Sequence, residues 1–484
     1  MKIKITPFAF FSCLVLFIAY FTYFHHYWYP AALFWDENYR LTSAFQYLHH
    51  VMFMEYHPPL GKLFIALGEY LFHPNVGLDM NRALQTDYIK SIPAGFSFVG
   101  VRFFPILFAT ISSVLFFSIL YKISRNGLLS YLFAFLYLFD NALIVHSRGA
   151  NIDSVQIFFV LALLLSFVIA IERKTVRIRD YFFMGLLVGL IGAVKLSGFL
   201  FLVIFLPLLF YEKNFLKINL TVRQTSLKLG SFLFATLLTF GGVFYIHGLL
   251  GQQIVDGHYF AASPQYRQII AKHQTANPLS LPIIIRDNLT YTIDYGKGIP
   301  KYDPLKEMKD GNASLPITWP FGNKSINYRW DSKDGITRYL YLQGNPLVWF
   351  VGLVGIILAS ALVLAVTLYR LPIRNKRHYF YIQVFLGLYV LHMISLSLLD
   401  RVLFLYSYFI PLLLSFFVAF MVYLSLFGTA WKRKKKPVII ATVVFAILIV
   451  SAFLFFSPLT YYLPLTQQQF LERSWLPFWY LKPI

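Results

Sequence analysis

The stretch TPFAFFSCLVLFIAYFTYFHHYW, residues 6–28, passes 23 positions without a charge, and FWDENYR, residues 34–40, then sets two carboxylates, Asp36 and Glu37, side by side. A helix of that length is about 35 Å long, enough to cross a hydrocarbon core of about 30 Å. Lys2 and Lys4 precede the run, which is too long for a cleaved leader and is followed by no small-residue cleavage pattern. It reads as a retained first span with its N-terminus inside. The acid pair at its far end has two readings: an interfacial cap, or an acid/base site at the membrane surface.

Composition extends the membrane reading to the whole chain. Of 484 residues, 58% are hydrophobic and 19% aromatic, while only 13% are charged; soluble domains carry about a quarter. This excludes a long water-soluble enzyme and fits a polytopic membrane protein. The single cysteine, Cys13, excludes an intrachain disulfide framework and a cysteine-rich metal site. Apolar windows of membrane length fall at 6–29, 98–121, 128–146, 152–171, 180–195, 197–211, 228–250, 346–370, 379–399, 402–427 and 437–457. The expected fold is an all-α polytopic membrane protein of about 11 transmembrane helices with two large external loops, at about 30–97 and 251–345. The expected domains are an N-terminal transmembrane catalytic module at 1–250, the large loop at 251–345, and a C-terminal module of four helices at 346–484.

Charge orients these spans. The N-terminus and the segments 122–127, 172–180, 211–228, 370–378 and 432–436 together hold 21 Lys and Arg against three acids, Glu172, Asp180 and Glu212. The rest of the chain holds 21 basic residues against 18 acids, so nearly all of the formal +21 is a positive-inside signal. It is a topology label and not a nucleic-acid footprint. The run WKRKKK, 431–436, is likewise a cytoplasmic turn with an anionic-lipid contact as a minor addition. In the first external loop, Pro58 and Pro59 open a helix in which Leu60, Leu63, Phe64, Leu67 and Leu71 recur at helical spacing. That pattern suits a helix lying in the membrane interface.

The same topology gathers the remaining charges on the outer side. Asp36 and Glu37 end the first span, Arg102 opens the second, and Arg148 and Asp153 flank the turn HSRGANIDS. Lys195 lies between two apolar runs and Arg401 precedes the tenth span. Ionisable groups at such depths are costly and usually have a partner or a function. Cations there can hold a phosphate as its bond to a sugar breaks, and a carboxylate can take the proton of an attacking hydroxyl. This chemistry points to a glycosyl or phosphoryl transferase that uses a lipid phosphate.

Nine segments in order then carry a resemblance: FWDENYR, EYHPPLGKLFIALG, VRFFPILFATISSVLF, HSRGANIDS, GAVKLSGFLF, PITWPF, YLQGNPLVW, DRVLFLYSYFIP and SPLTYYLPLTQQQF. The chain resembles the protein O-mannosyltransferase family, membrane enzymes of the C-type glycosyltransferase fold. The resemblance implies a polyprenyl-phosphate-mannose donor, a protein acceptor with Ser or Thr, membrane lipids as surroundings and no nucleic acid. It makes Asp36 the general base on the acceptor hydroxyl and Glu37 its essential neighbour. It sets Arg102 near the lipid phosphate, with Lys195 and Arg401 as further phosphate contacts. His57 matches the HPP element, and Arg148 and Asp153 the element at the second outer loop. Ser407 stands where the family commonly has a histidine, which leaves Tyr406, a water or nothing to serve there. The large loop lacks the β-trefoil insertion of eukaryotic members, which implies a bacterial-type member in the inner membrane with its site facing the periplasm or exterior. Tyr259, Tyr266, His273, Trp319 and Trp330 in that loop either shape an acceptor groove or pack.

Metal use stays open: Asp36, Glu37 and Asp153 offer oxygen ligands to a divalent metal ion, while the nearby cations can fill the same electrostatic role. Two other functions compete. One is sugar transfer to a lipid or glycan, as in the aminoarabinose transferase of lipid A. The other is a membrane transporter, which should show inverted repeats or helices broken at the midplane.

Overall fold

The computed structural model describes residues 6–309 and 311–483; Lys2 and Lys4, counted above for orientation, lie outside the described residues. The apolar windows become helices because each unpaired backbone group in lipid is costly, and a helix pairs them within the segment. In chain order the main helices are α1 (Pro7–Ala19), α2 (Glu37–Leu48), α3 (Leu60–Phe72), α4 (Val99–Ser124), α5 (Gly127–Leu138) and α6 (Asn141–Ser147). There follow α7 (Asp153–Arg173), α8 (Ile178–Val194), α9 (Phe205–Asn214), α10 (Val222–Leu250), α11 (Pro264–Ala271) and α12 (Leu281–Gly298). The last four are α13 (Pro346–Tyr369), α14 (Lys376–Ser397), α15 (Phe409–Lys432) and α16 (Lys436–Thr460).

Among the described residues nine helices are long and apolar enough to cross a membrane, and ten if the pair α5–α6, bent by 61°, counts as one span. Two of the 11 expected windows do not form single helices of spanning length. The 180–195 window is α8, whose 17 residues make a helix of about 26 Å, short for the hydrocarbon core. The 128–146 window is broken where Asp140, fully buried, caps the new helix. Its Oδ1 accepts from Leu143 N at 2.9 Å and its Oδ2 from Trp349 Nε1 at 2.7 Å.

The chain packs into two compact units, neither of them continuous in sequence: Met1–Thr22, Phe116–His146 and Pro300–Ile484 form one, and Tyr23–Leu115 and Ser147–Ile299 the other. In the first, α13 to α16 pack together, and the predominantly helical chain adds one small sheet. Strands β1 (Ile326–Lys333) and β2 (Ile336–Leu342) pair antiparallel around the turn Asp334–Gly335, and β3 (Pro464–Leu465) adds to β2. Both turn residues have positive φ, 52° and 73°, the backbone that a two-residue hairpin requires. Tyr339 and Tyr341 bury their rings with Phe470 and Trp479 beneath this sheet. In the second unit, α8 lies against α10 so closely that a Cβ on Gly185 or Gly189 would strike the α10 backbone. Small residues allow this approach, and Thr236 Oγ1 donates to Gly185 O across it at 3.1 Å.

Helix α3 is turned inside out. Lys62 and Glu69 are buried, whereas Leu67, Tyr70, Leu71 and Phe72 are exposed. An outward apolar face with inward charges suits a membrane interface.

Candidate active site

The second unit brings together Asp36, Glu37, His57, Arg102, Arg148, Asp153 and Lys195; Arg401 and Tyr406 belong to the first unit. Asp36 is half-buried at the N-terminus of α2, and Glu37, the next residue, is fully buried. The backbone leading to them is gripped from the carbonyl side. Arg148 donates to Tyr23 O at 3.0 Å, His25 O at 2.8 Å and His26 O at 2.6 Å. Arg102 donates to Trp28 O at 2.9 Å, Pro30 O at 2.7 Å and Ala32 O at 2.8 Å.

Arg102 also binds Glu37 in a fork, Nε to Oε1 and Nη2 to Oε2, both at 2.7 Å. These bonds use all five guanidinium donors, and the group is fully buried with its plane 3.8 Å from the Phe98 ring centre. The expectation that Arg102 contacts a donor phosphate is therefore corrected: no N–H remains to offer. Glu37 is equally committed. Its Oε1 also accepts from Ala150 N at 2.8 Å and its Oε2 from Phe34 N at 3.1 Å. A Cβ on Gly149 would lie 2.8 Å from the Phe34 ring, so only glycine lets the turn come near enough for the Ala150 bond. Glu37, expected as the essential neighbour of Asp36, has its carboxylate engaged by four donors.

Between the gripped carbonyls and Glu37 lies Trp35, at φ 47°. Bulky side chains avoid this left-handed region, and such strain persists only where the surroundings over-determine it. Here arginine bonds fix the chain on one side and the Glu37 pair fixes it on the other. Asp36 follows directly on the strained residue.

A second polar group in this unit was invisible as a set in the sequence. Glu55 pairs with both Arg40 and Lys62, and Lys62 donates to His57 O at 2.6 Å. Lys195 pairs with Asp153 at 2.6 Å, both partly exposed. Burial opposes the charged form of Glu55, but Arg40 and Lys62 outweigh it and hold its carboxyl below the usual range. Burial, with the charges of Arg40, Lys195 and Lys62, keeps the His57 imidazole well below its ordinary value, hence neutral at pH 7. Arg40, Glu55 and Lys62 were not among the sequence-derived candidates. Their signal was there: Arg40 lies inside FWDENYR, Glu55 and Lys62 inside EYHPPLGK, and Lys62 falls in the first turn of a largely apolar helix.

In the first unit, Tyr406 stacks on His146 with centroids 5.0 Å apart, and His146 Nδ1 meets Tyr328 OH at 2.6 Å. His146, within HSRGANIDS, is another residue the sequence reading passed over. Trp319 is fully buried and donates to Ser314 Oγ at 2.9 Å, and Tyr266 is fully buried too, so both are packing residues; Trp330 is half exposed. The residues present do not fit a resident metal. No group of three or more His, Cys, Asp or Glu side chains among the described residues is disposed to hold one, and of the candidates Asp36, Glu37 and Asp153, two are tied to cations.

Two family models match the chain. That of dolichyl-phosphate-mannose-protein mannosyltransferase covers residues 13–248, and that of the C-terminal four-span region of protein O-mannosyltransferase covers 301–479. The chain belongs to the protein O-mannosyltransferase family. A polyprenol-phosphate-mannose–protein mannosyltransferase of Mycolicibacterium smegmatis is 23% identical over 92% of this chain and 87% of its own length. In fold, the chain is similar to the Saccharomyces cerevisiae protein O-mannosyltransferase Pmt1–Pmt2 complex bound to the sugar donor. That match has a TM-score of 0.79 and 15% identity, over 99% of this chain and 93% of the other. The Archaeoglobus fulgidus oligosaccharyltransferase matches at a TM-score of 0.50 over 57% of its length. The C-type glycosyltransferase fold expected from the nine motifs is thus the fold of this family member.

Proposed function

We propose that this chain transfers mannose from polyprenyl-phosphate-mannose to Ser or Thr hydroxyls of proteins, at the outer face of a bacterial cell membrane and with inversion. The family and the names of its relatives support the donor and the protein acceptor, and favour them over a lipid acceptor or a transporter. The observation that carries the residue assignment is the unequal fate of two adjacent acids: Glu37 is buried under four donors while Asp36 remains half-exposed on the fixed segment.

Asp36 is the general base. As the acceptor oxygen bonds to the sugar C1, the bond from C1 to the phosphate oxygen breaks, its electron pair leaves with the lipid phosphate, and the hydroxyl proton passes to the Asp36 carboxylate. One displacement leaves no covalent sugar on the enzyme, so the configuration inverts. Glu37, Arg102 and Arg148 are positioning residues, since they hold the segment and not the substrate. Lys195, more exposed than Arg40 or Lys62, is the cation assigned to the leaving phosphate. Neutral His57, beside this cluster, can bond to the donor without adding charge.

The test is transfer from a synthetic polyprenyl-phosphate-mannose to a Ser/Thr peptide by the purified protein, read as a one-hexose mass gain. Asp36→Asn should keep donor binding and lose transfer by roughly a hundredfold or more, as for a lost general base. An Asp36→Asn protein that runs at the parent rate removes Asp36 from the chemistry.

A further inference from the structure

The first unit holds a cavity of about 500 Å³ open along its side. Its walls are 132–136 of α5, 350–358 of α13, 419–427 of α15 and 437–449 of α16. The α16 wall alone is about 18 Å long, slightly more than half of a hydrocarbon core of about 30 Å. The only hydroxyls on the walls, Tyr423 and Thr442, are engaged with each other at 2.6 Å. Trp431 Nε1 donates to Tyr423 at 2.7 Å and Thr442 donates to Val438 O at 2.7 Å. The groove therefore presents hydrocarbon and offers no donor of its own.

A run of five cations stands at one end. Lys432, Arg433, Lys434, Lys435 and Lys436 join α15 to α16, all exposed, and none has a carboxylate partner among the described residues. The groove wall begins at the next residue, Pro437. The β2–β3 pairing lies at the other end of these two helices, about 36 Å away along α15. The charge count makes the five-cation end cytoplasmic.

We propose that this groove is a binding site for one anionic phospholipid of the cytoplasmic leaflet, its acyl chain between the four helices and its headgroup phosphate against residues 432–436. A groove one leaflet deep fits an acyl chain, and a basic pocket between spans at the cytoplasmic side fits an anionic head. The donor's own tail is disfavoured, because its phosphate belongs at the opposite surface. None of the groove's lining residues is among those assigned to mannosyl transfer.

The full chain, purified in mild detergent and stripped of lipid, is offered equal amounts of phosphatidylglycerol and phosphatidylcholine with identical acyl chains, and retained lipid is counted by native mass spectrometry. Phosphatidylglycerol should be retained at least tenfold over phosphatidylcholine. Replacing all five cations by Gln should bring the two within twofold, replacing the four Lys by Arg should keep the preference, and Ala441→Phe should lower retention of both lipids by obstructing the groove. Equal retention by the parent, or retention untouched by Ala441→Phe, overturns the proposal. So does displacement of phosphatidylglycerol by polyprenyl phosphate, which would give the groove to the donor, or a dimer that Ala441→Phe dissociates, which would give it to a second copy. If the Gln variant fails to insert, the Arg and Ala441→Phe arms still decide.

Discussion

Asp36 and Glu37 are neighbours in sequence and opposites in environment. Chemically they were interchangeable, so nothing in FWDENYR could say which one meets substrate; burial and partners made the difference. The same holds for Arg102, which the sequence offered to a phosphate and the fold spends on Glu37 and three carbonyls. Breaking such a pair leaves one charge buried and uncompensated, which costs about 3–5 kcal/mol. We therefore expect Arg102→Met or Glu37→Gln alone to lower thermal stability sharply. The double variant should recover part of that loss, because it leaves no lone charge. Arg102→Lys should not rescue, since Lys has too few donors for the five bonds. The check is the melting temperature together with the donor KM: enzyme that still folds should keep the parent KM, and a raised KM with normal stability would return Arg102 to the phosphate.

Among the elements, α3 shows what periodicity can and cannot say. Its spacing predicted an interfacial helix, but its orientation depends on the buried side, where Lys62 meets Glu55 and Glu69 accepts from Asn75 Nδ2 at 2.9 Å. Asn75 also ties this turn to Ser97 through two bonds, one in each direction. Burial pushes the Glu69 carboxyl up from 4.5 to about 7, against the pull of its Asn75 bonds. A folded value above the unfolded one means that the folded state holds the proton more tightly. The resulting stability, about 3 kcal/mol at most, is complete below pH 4.5 and lost as pH rises through 7. Apparent melting temperature should fall between pH 5 and 8, and Glu69→Gln should flatten that slope; an unchanged slope would mean another group titrates. The hairpin is the opposite case. The Asp334–Gly335 turn between alternating segments was legible, and a membrane-wide count of helices passed over it.

For the whole molecule, the charge split makes a direct prediction about sides. In a Cys13→Ser background, a cysteine at Ser332, on the exposed hairpin, should react with an impermeant reagent in intact cells. One at Lys376 or Lys434 should react only after permeabilisation. Labelling at Lys376 from outside would reverse the topology and remove the argument for an outer-face site. Most of the spans and the family were readable from the chain alone, because apolar length and ordered motifs are local properties that need no tertiary contact to be seen. Two discontinuous units, the commitment of Glu37 and Arg102 to each other, the Glu55 cluster and the groove above residues 432–436 needed the tertiary structure. Each depends on which groups lose water together and which donors are already used, and those are set by neighbours distant in sequence.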